Sequence, residues 1–115
     1  MRHKTQWETL TARQLRARRA TLARQLPDVE AMLRGSLQRQ RRRCGKAGCR
    51  CGEGELHGPY IYLSVRTSER SRLLYVPAEA AEDVTRRVDT TGRIETALTD
   101  ISAINLELLA RGELD

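Results

Sequence analysis

Residues 60–76, YIYLSVRTSERSRLLYV, decide what kind of fold this chain can form. Two runs rich in β-branched and aromatic residues, 60–66 and 72–76, are separated by TSERS, a sequence typical of a turn. The pattern predicts a β-hairpin. Residues 36–43, SLQRQRRR, have no helical periodicity, so they are either a further short strand or an extended basic arm.

The segment before the sheet predicts a long N-terminal helix over residues 8–34. Ala and Arg are common in it and favour helix. Five apolar residues, at steps of seven, four, three and four, form one stripe: Leu15, Leu22, Leu26, Val29 and Leu33. Pro27 interrupts the stripe because it has no backbone N–H to donate. We therefore expect either a kink near Pro27 or a second helix that begins there.

The segment after the sheet predicts a second long helix, from Pro77 to about residue 110. Gly92 costs about 1 kcal/mol inside a helix and marks a position where this one could break. A heptad-like seam runs along it, formed by Val84, Val88, Thr91, Leu98, Ile101, Asn105 and Leu108, with Ile94 and Ile104 beside it. The seams predict a coiled coil, in which the two helices pair either with each other, antiparallel, or with a second copy of the chain.

Together the segments predict an α+β fold with one domain in three parts. These are a basic amphipathic helix (1–35), a metal loop with a small antiparallel sheet (36–77) and a C-terminal amphipathic helix (78–115). The core must be small, because the 115 residues include no Phe, one Trp and three Tyr, while 31% of them are charged. Such a core needs a further staple, and a metal site is the obvious candidate.

All three cysteines and one histidine fall in a glycine-rich loop, residues 44–59, with the spacing C-x4-C-x-C-x5-H. Three thiolates and one imidazole are a standard ligand set for structural zinc. The sequence therefore predicts one structural zinc ion bound by Cys44, Cys49, Cys51 and His57. Four protein ligands close the coordination shell, which excludes a catalytic water.

The cysteine cluster is also compatible with a loop that binds no metal. The spacing is not one of the commonest for zinc, and the cysteines could be unmodified thiols or a redox pair, with His57 capping the hairpin. Within the zinc interpretation, a water or a ligand from a partner chain could replace His57.

Basic charge is concentrated before the sheet. Residues 1–50 carry fourteen Lys or Arg against three Asp or Glu, a net +11, whereas residues 51–115 carry seven against twelve, a net −5. Arginine outnumbers lysine nineteen to two, and a guanidinium binds phosphates and guanine edges in a bidentate way. The predicted nucleic-acid contacts are Arg16, Arg19, Arg39, Arg41, Arg42, Arg43, Lys46 and Arg50.

The same residues allow a simpler interpretation, a solvated arginine surface without a ligand. Tyr60 and Tyr62 fall on one face of the predicted strand, where they could stack on bases or belong to the core.

Residues 35–80 resemble a family of small bacterial and phage proteins of unknown function. The elements that carry the resemblance are CGKxxCRC (44–51), HGPYxY (57–62) and YVP (75–77), and the departure is Ala47-Gly48, where the family often has Pro and a small polar residue. The resemblance implies no settled biochemical role. The hairpin-then-helix layout is similar to the small three-stranded domains with which tyrosine-type integrases hold DNA.

These features predict a non-catalytic, zinc-stabilised nucleic-acid-binding protein with DNA as the favoured ligand, an accessory part of a recombinase, transposase or regulatory assembly. The alternative is a protein-interaction module whose helices form a homo-oligomer or bind a larger partner without touching nucleic acid. We expect no enzyme, because the histidines are limited to His3 and His57 and no catalytic motif is recognisable. We expect a cytoplasmic protein without membrane contact, since no apolar run approaches the roughly 20 residues of a spanning helix.

Overall fold

The structure, a computed structural model, describes residues 5–43, 45–49, 52, 54 and 56–115. Within these residues the chain forms two α-helices and one three-stranded antiparallel sheet, so the predicted α+β class is confirmed. In chain order the elements are α1 (Ala12–Arg24), a 3-10 turn (Val29–Ala31), β1 (Ser36–Arg42), β2 (His57–Arg66), β3 (Ser71–Val76) and α2 (Ala78–Ala110).

The chain divides into two compact units. The helical unit comprises Met1–Ala31 and Thr90–Asp115, and the sheet unit comprises Met32–Asp89. The predicted basic contacts are thereby divided between the two units. Arg16 and Arg19 belong to the helical unit, whereas the arginines of β1 and the cysteine loop belong to the sheet unit.

Helix α1 is much shorter than predicted, and the expectation of one long helix over 8–34 with a kink near Pro27 is wrong. The helix begins after Thr11 in a capping box: Thr11 Oγ1 accepts from the Gln14 N–H at 3.1 Å, and Gln14 Oε1 accepts from the Thr11 N–H at 2.9 Å. It ends at Arg24 because Pro27 excludes helical backbone at the residue before it and would clash with the preceding turn. Within residues 27–35, all of them described, the only helical element is the 3-10 turn.

The core of the helical unit consists of Trp7, Leu15, Ile104 and Leu108, all buried. Leu15 is the residue of α1 that the amphipathic stripe placed inward, and Ile104 and Leu108 lie four residues apart on one face of α2. Leu10, Ala12, Leu22 and Ala103 pack against this cluster. An apolar contact between the N-terminal and C-terminal segments therefore holds the unit together.

The end of α2 turns back through a Schellman motif. The Glu113 N–H donates to the Leu108 carbonyl at 2.8 Å, and the Gly112 N–H donates to the Leu109 carbonyl at 3.0 Å. Gly112 has φ +70°, a conformation that glycine adopts without the steric cost of a Cβ atom. This reversal carries the acidic end of the chain back along the helical unit.

The sheet has the strand order β1-β2-β3, with both pairs antiparallel. Leu37 pairs with Leu63, which pairs with Leu74, so these leucines share one face. Leu63 is buried, as is Val76 on the same face. The predicted hairpin is confirmed, and of the two alternatives for residues 36–43 the structure has the short strand, β1 (Ser36–Arg42).

Helix α2 runs through Gly92 without a break, so the helix predicted from Pro77 to about 110 is confirmed as one element. The buried positions are Thr90, Thr91, Ile94, Ile104 and Leu108, whereas Leu98 of the predicted seam is 49% exposed. The coiled coil stays a prediction. No helix in the described part of the chain is long and apolar enough to cross a membrane.

Candidate metal loop and nucleic-acid interface

The basic residues around β1 are exposed. Arg39, Arg41 and Arg42 lie on the strand itself, Arg43 follows it, and Lys46 lies in the loop beyond. Since β1 stands at one end of the strand order, these side chains lie along an edge of the sheet. Arg50, the last member of the predicted basic patch, falls outside the described residues.

The arginines of β1 have no acidic partner among the described residues. Ion pairs in that part of the chain join Asp115 and Asp83 to arginines of the two helices, and Glu107 to Arg111 just after α2. Within the described part of the chain the charges on β1 thus face solvent without an acidic counterpart, which is the electrostatic condition for attracting a polyanion.

All three tyrosines of the chain lie on the face of the sheet opposite Leu63, which we call the tyrosine face: Tyr60, Tyr62 and Tyr75 together with Arg42. Tyr62 pairs with Tyr75 across β2 and β3, and their ring centroids are 5.8 Å apart at an interplanar angle of 66°. The guanidinium of Arg42 lies over the Tyr62 ring, 5.1 Å from its centroid. Tyr75 remains 57% exposed.

A cavity of about 430 Å³ opens on the tyrosine face. Its lining consists of Arg42, Arg43, His57, Tyr60, Tyr62 and Tyr75. Aromatic walls and two guanidinium groups suit a flat, anionic ligand better than an apolar one.

A bulge at the start of β2 places His57 beside this cavity. Gln40 pairs with Tyr60, but Arg42 pairs with His57, so β2 has one extra residue at Gly58-Pro59, whose peptide bond is cis. Gly58 has φ +113°, and a Cβ there would lie 2.8 Å from the Gln40 carbonyl oxygen. Glycine is therefore required at this position by both backbone conformation and space.

Two of the four predicted metal ligands meet in the loop. Cys49 Sγ lies 3.1 Å from His57 Nε2, and both side chains are half-buried. Cys49 ends a turn that begins at Lys46. The Cys49 N–H donates to the Lys46 carbonyl at 3.4 Å, and Gly48 within the turn has φ +80°.

The other two predicted ligands, Cys44 and Cys51, fall outside the described residues. No group of three or more candidate ligands is present within the part of the chain that the structure describes. What that part contains is one half of the predicted set, a thiol and an imidazole in contact.

The two predicted contacts on α1 have partners within the helical unit. Arg19 donates to Asn105 Oδ1 at 2.7 Å and forms a bidentate pair with the Asp115 carboxylate, at 3.0 and 2.8 Å. Arg16 Nη2 donates to the Glu113 carbonyl at 2.8 Å. The hydrogen bonds from Arg19 hold the pKa of the Asp115 carboxyl below its ordinary value, and the same pair raises the pKa of Arg19.

Sequence reasoning missed Tyr75 as a candidate site residue. The signal was present in the hairpin, because a turn at TSERS sets a register that brings Tyr75 opposite Tyr62. Tyr60 and Tyr62 were correctly expected on one face, and that face is open enough to form a cavity.

Fold and site define a small α+β protein in which a cysteine–histidine loop adjoins an aromatic, arginine-bearing sheet. The chain belongs to the family described as Domain of unknown function (DUF6788), whose sequence model matches residues 12–86, about two thirds of its length. No curated protein and no solved structure matches the chain.

Proposed function

We propose that this protein is a zinc-stabilised, non-catalytic nucleic-acid-binding protein, with DNA as its favoured ligand, and that it serves as an accessory part of a recombinase, transposase or regulatory assembly. The observation that carries the proposal is the edge of β1, where exposed arginines have no acidic partners in the described chain. Arg42 and Arg43 line the cavity on the tyrosine face, whereas Arg39, paired with Ile61, lies on the other face of the sheet.

The charge on β1 supplies the sequence-independent part of binding. Arg39 and Arg41 alternate with Gln38 and Gln40 along an extended strand, so their side chains recur every two residues. That spacing is about 6.6 Å, so the two guanidinium groups can bind different phosphates of one nucleic-acid strand. Each phosphate neutralised releases counterions, so affinity should fall steeply with salt.

Zinc supplies the rigidity of the loop in this proposal. Tetrahedral coordination with Zn–S near 2.3 Å and Zn–N near 2.0 Å places a sulfur and a nitrogen ligand about 3.5 Å apart. The observed 3.1 Å between Cys49 Sγ and His57 Nε2 therefore needs an opening of about 0.4 Å to admit the ion. Cys44 and Cys51 would complete the set, and the exposed cations Arg43 and Lys46 favour the thiolate form of nearby cysteines.

We propose no catalytic role for the metal. Four protein ligands leave no coordination position for a water or substrate, so the ion would act by tying the end of β1 to the start of β2. With both ends of the loop fixed, the arginines at the end of β1 keep one position relative to the tyrosine face.

A salt titration tests the nucleic-acid part of the proposal. Binding to a labelled duplex is measured at several salt concentrations for the wild type, for Arg39→Ala/Arg41→Ala and for the control Arg18→Ala/Arg93→Ala. Both variants lose two exposed arginines, so they change net charge equally. The strand variant should lower the slope of log affinity against log salt by about 2, and the control should not. Salt-independent binding, or equal effects of both variants, would contradict the proposal.

A second candidate function, a protein-interaction module, is favoured by one feature of α2. Leu98, Leu106 and Leu109 are 49%, 63% and 58% exposed, and with Ser102 they recur at helical spacing along one face. A shallow cavity of about 440 Å³ lies between Leu98 and Leu106. Such a face suits a helix of a second copy of the chain.

The oligomeric state tests this second candidate. Sedimentation of the wild type should give a dimer, and Leu98→Ser/Leu106→Ser should give a monomer of unchanged helix content. A wild-type monomer at all concentrations would rule out self-association. A larger partner protein would then be the occupant of the face formed by Leu98, Ser102, Leu106 and Leu109.

A further inference from the structure

We propose that the tyrosine face binds an unpaired base of a single-stranded nucleic acid, with the adjoining phosphate held by Arg42 and Arg43. This inference rests on the proposed function and narrows it, because it assigns a site for unpaired bases and names Tyr75 as the residue that stacks on them.

The aromatic surface is available to a ligand. Tyr75 is 57% exposed, and Tyr60 and Tyr62 are half-buried around the cavity of about 430 Å³. That volume lies within the range of about 300–1,000 Å³ typical of small-ligand sites. Side chains of a closed core would be covered instead, as Leu63 is on the opposite face of the same sheet.

The rings differ in what already covers them. Arg42 lies over Tyr62, and Tyr62 and Tyr75 contact each other edge to face. Tyr75 has the largest exposed fraction of the three, so it is the ring on which a base can stack without displacing a protein group. Base–aromatic stacking tolerates any base, since every base has a π-face.

Arg42 is held in position for the phosphate. Its Nη2 donates to Gln40 Oε1 at 2.7 Å, and its guanidinium packs on Tyr62. The guanidinium has five N–H donors, of which this contact uses one, so the others remain available for a bidentate contact with an anion. A guanidinium held in advance loses less conformational entropy on binding than a mobile one.

The charge around the cavity selects an anion. Its lining contains two arginines and no acidic residue from the described part of the chain. An acidic protein segment would satisfy the arginines but would leave the tyrosine rings without flat partners, whereas a nucleotide satisfies both.

The ligand must be unpaired. In a duplex the bases are stacked on each other and their faces are closed to side chains, so only a splayed base can lie on Tyr75. Duplex binding through Arg39 and Arg41 needs no such base. The two modes can therefore be separated by substitution.

The test compares a labelled twelve-nucleotide oligothymidine with a blunt duplex of equal phosphate number, at one salt concentration. Tyr75→Leu keeps an apolar side chain but removes the ring, and it should weaken single-strand binding about 5- to 100-fold while changing duplex binding by less than about twofold. Tyr75→Phe keeps the ring and should bind both within about twofold of the wild type. Leu74→Ala, an exposed residue of the same strand on the opposite face of the sheet, is the matched control and should change neither.

A spectroscopic signal separates stacking from a general loss of affinity. An oligothymidine with one 2-aminopurine should lose fluorescence on binding to the wild type and to Tyr75→Phe, because the base stacks on the ring. The change should be absent at saturating Tyr75→Leu.

Each failure points to a different conclusion. If Tyr75→Leu weakens duplex and single-strand binding to the same extent, or if it weakens neither, the tyrosine face is not a site for bases. The proposed function still stands in that case. If Tyr75→Phe behaves like Tyr75→Leu, the ring is not what matters and the inference is wrong. If the wild type binds neither probe, the proposed function fails and this inference fails with it.

Discussion

Two groups of arginines in this chain differ in whether the protein itself pairs with them. On α1, Arg19 holds the carboxylate of Asp115 in a bidentate pair and Arg16 reaches the Glu113 carbonyl, so their charge is used inside the helical unit. On β1, Arg39 and Arg41 are exposed and have no acidic partner in the described part of the chain. Similar arginine-rich sequences thus form structural contacts on α1, whereas on β1 they leave charged side chains exposed to a ligand.

The difference shows that a basic sequence is not by itself a binding surface. Whether an arginine can meet a phosphate depends on what the rest of the chain brings to it. The Schellman turn at Gly112 returns acidic residues to α1, and no comparable acidic segment pairs with β1 among the described residues. The following predictions test that contrast, from the largest expected effect to the smallest.

Removing a zinc ligand should have the largest effect. Cys49→Ser should lower zinc affinity at least about 100-fold, because one of four ligands is lost. Without the metal, the loop between β1 and β2 should no longer hold a fixed conformation. Metal analysis of protein purified without added zinc should give about one zinc per wild-type chain and far less for the variant. Gly45→Ala is the control, since a Cβ at Gly45 meets nothing within 4 Å. Equal zinc in both variants, or none in the wild type, would refute the metal site.

Removing the core leucine of α1 should come next. Leu15 is fully buried in the helical unit, so Leu15→Ala should cost about 2–5 kcal/mol in the free energy of unfolding. Chemical denaturation followed by the fluorescence of Trp7, a neighbour in the same cluster, measures it. Leu106→Ala removes the same atoms from a position that is 63% exposed and should cost far less. Similar losses for both would mean that the helical core is not the one described.

Substituting each group of arginines in turn tests the contrast directly. Arg39→Ala/Arg41→Ala should weaken duplex binding about tenfold at moderate salt, whereas Arg16→Ala/Arg19→Ala should weaken it less than about threefold because those side chains are already engaged. The helix variant should instead lower the melting temperature, and the strand variant should not. If the helix pair carried the larger loss of binding, the sequence-based prediction that Arg16 and Arg19 contact nucleic acid would prevail.

The smallest effect should be a pH dependence at the end of the chain. The pKa of Asp115 is lowered from its ordinary 3.8 by its hydrogen bonds from Arg19, so its contribution to stability is present above about pH 4 and is lost as the pH falls below 3.8 towards the folded value. Asp115→Asn should therefore lower the melting temperature slightly at pH 6, and by less as the pH falls below 3.8. The effect is small because the pair is solvent-exposed.

Glu113→Gln is the matched control, since it is the backbone carbonyl of Glu113 that accepts from Arg16. Its melting temperature should follow the wild type over the same pH range. A wild-type advantage over Asp115→Asn that grew below pH 4 would contradict the assigned direction of the pKa shift.

Much of the fold could be predicted from local signals. Runs rich in β-branched and aromatic residues at 60–66 and 72–76 and the TSERS turn specify the hairpin, and Pro77 marks the start of α2. The same kind of signal was present but overlooked at α1, where Thr11 and Gln14 form a readable capping box and Pro27 forces an end upstream. The leucine stripe past Arg24 was misleading because apolar spacing does not override a proline.

The site could be predicted only in part, because its decisive features are long-range. The spacing of Cys49 and His57 placed both in one loop, and the structure brings their side chains into contact. The tyrosine face required the register of three strands, and the pairing of Arg19 required residue 115 to return to α1. Such contacts join residues that are far apart in the sequence, and composition and periodicity do not predict which distant residues meet.

The position of β1 at the sheet edge has a consequence for solubility. An edge strand offers its backbone to any other strand, including that of a second molecule, and like charges along it oppose such addition. The charges of Arg39 and Arg41 thus oppose pairing of β1 with the edge strand of a second, unliganded molecule. A polyanion that neutralises them removes this protection, so turbidity should appear when ligand and protein approach charge balance and should disappear again when either is in excess.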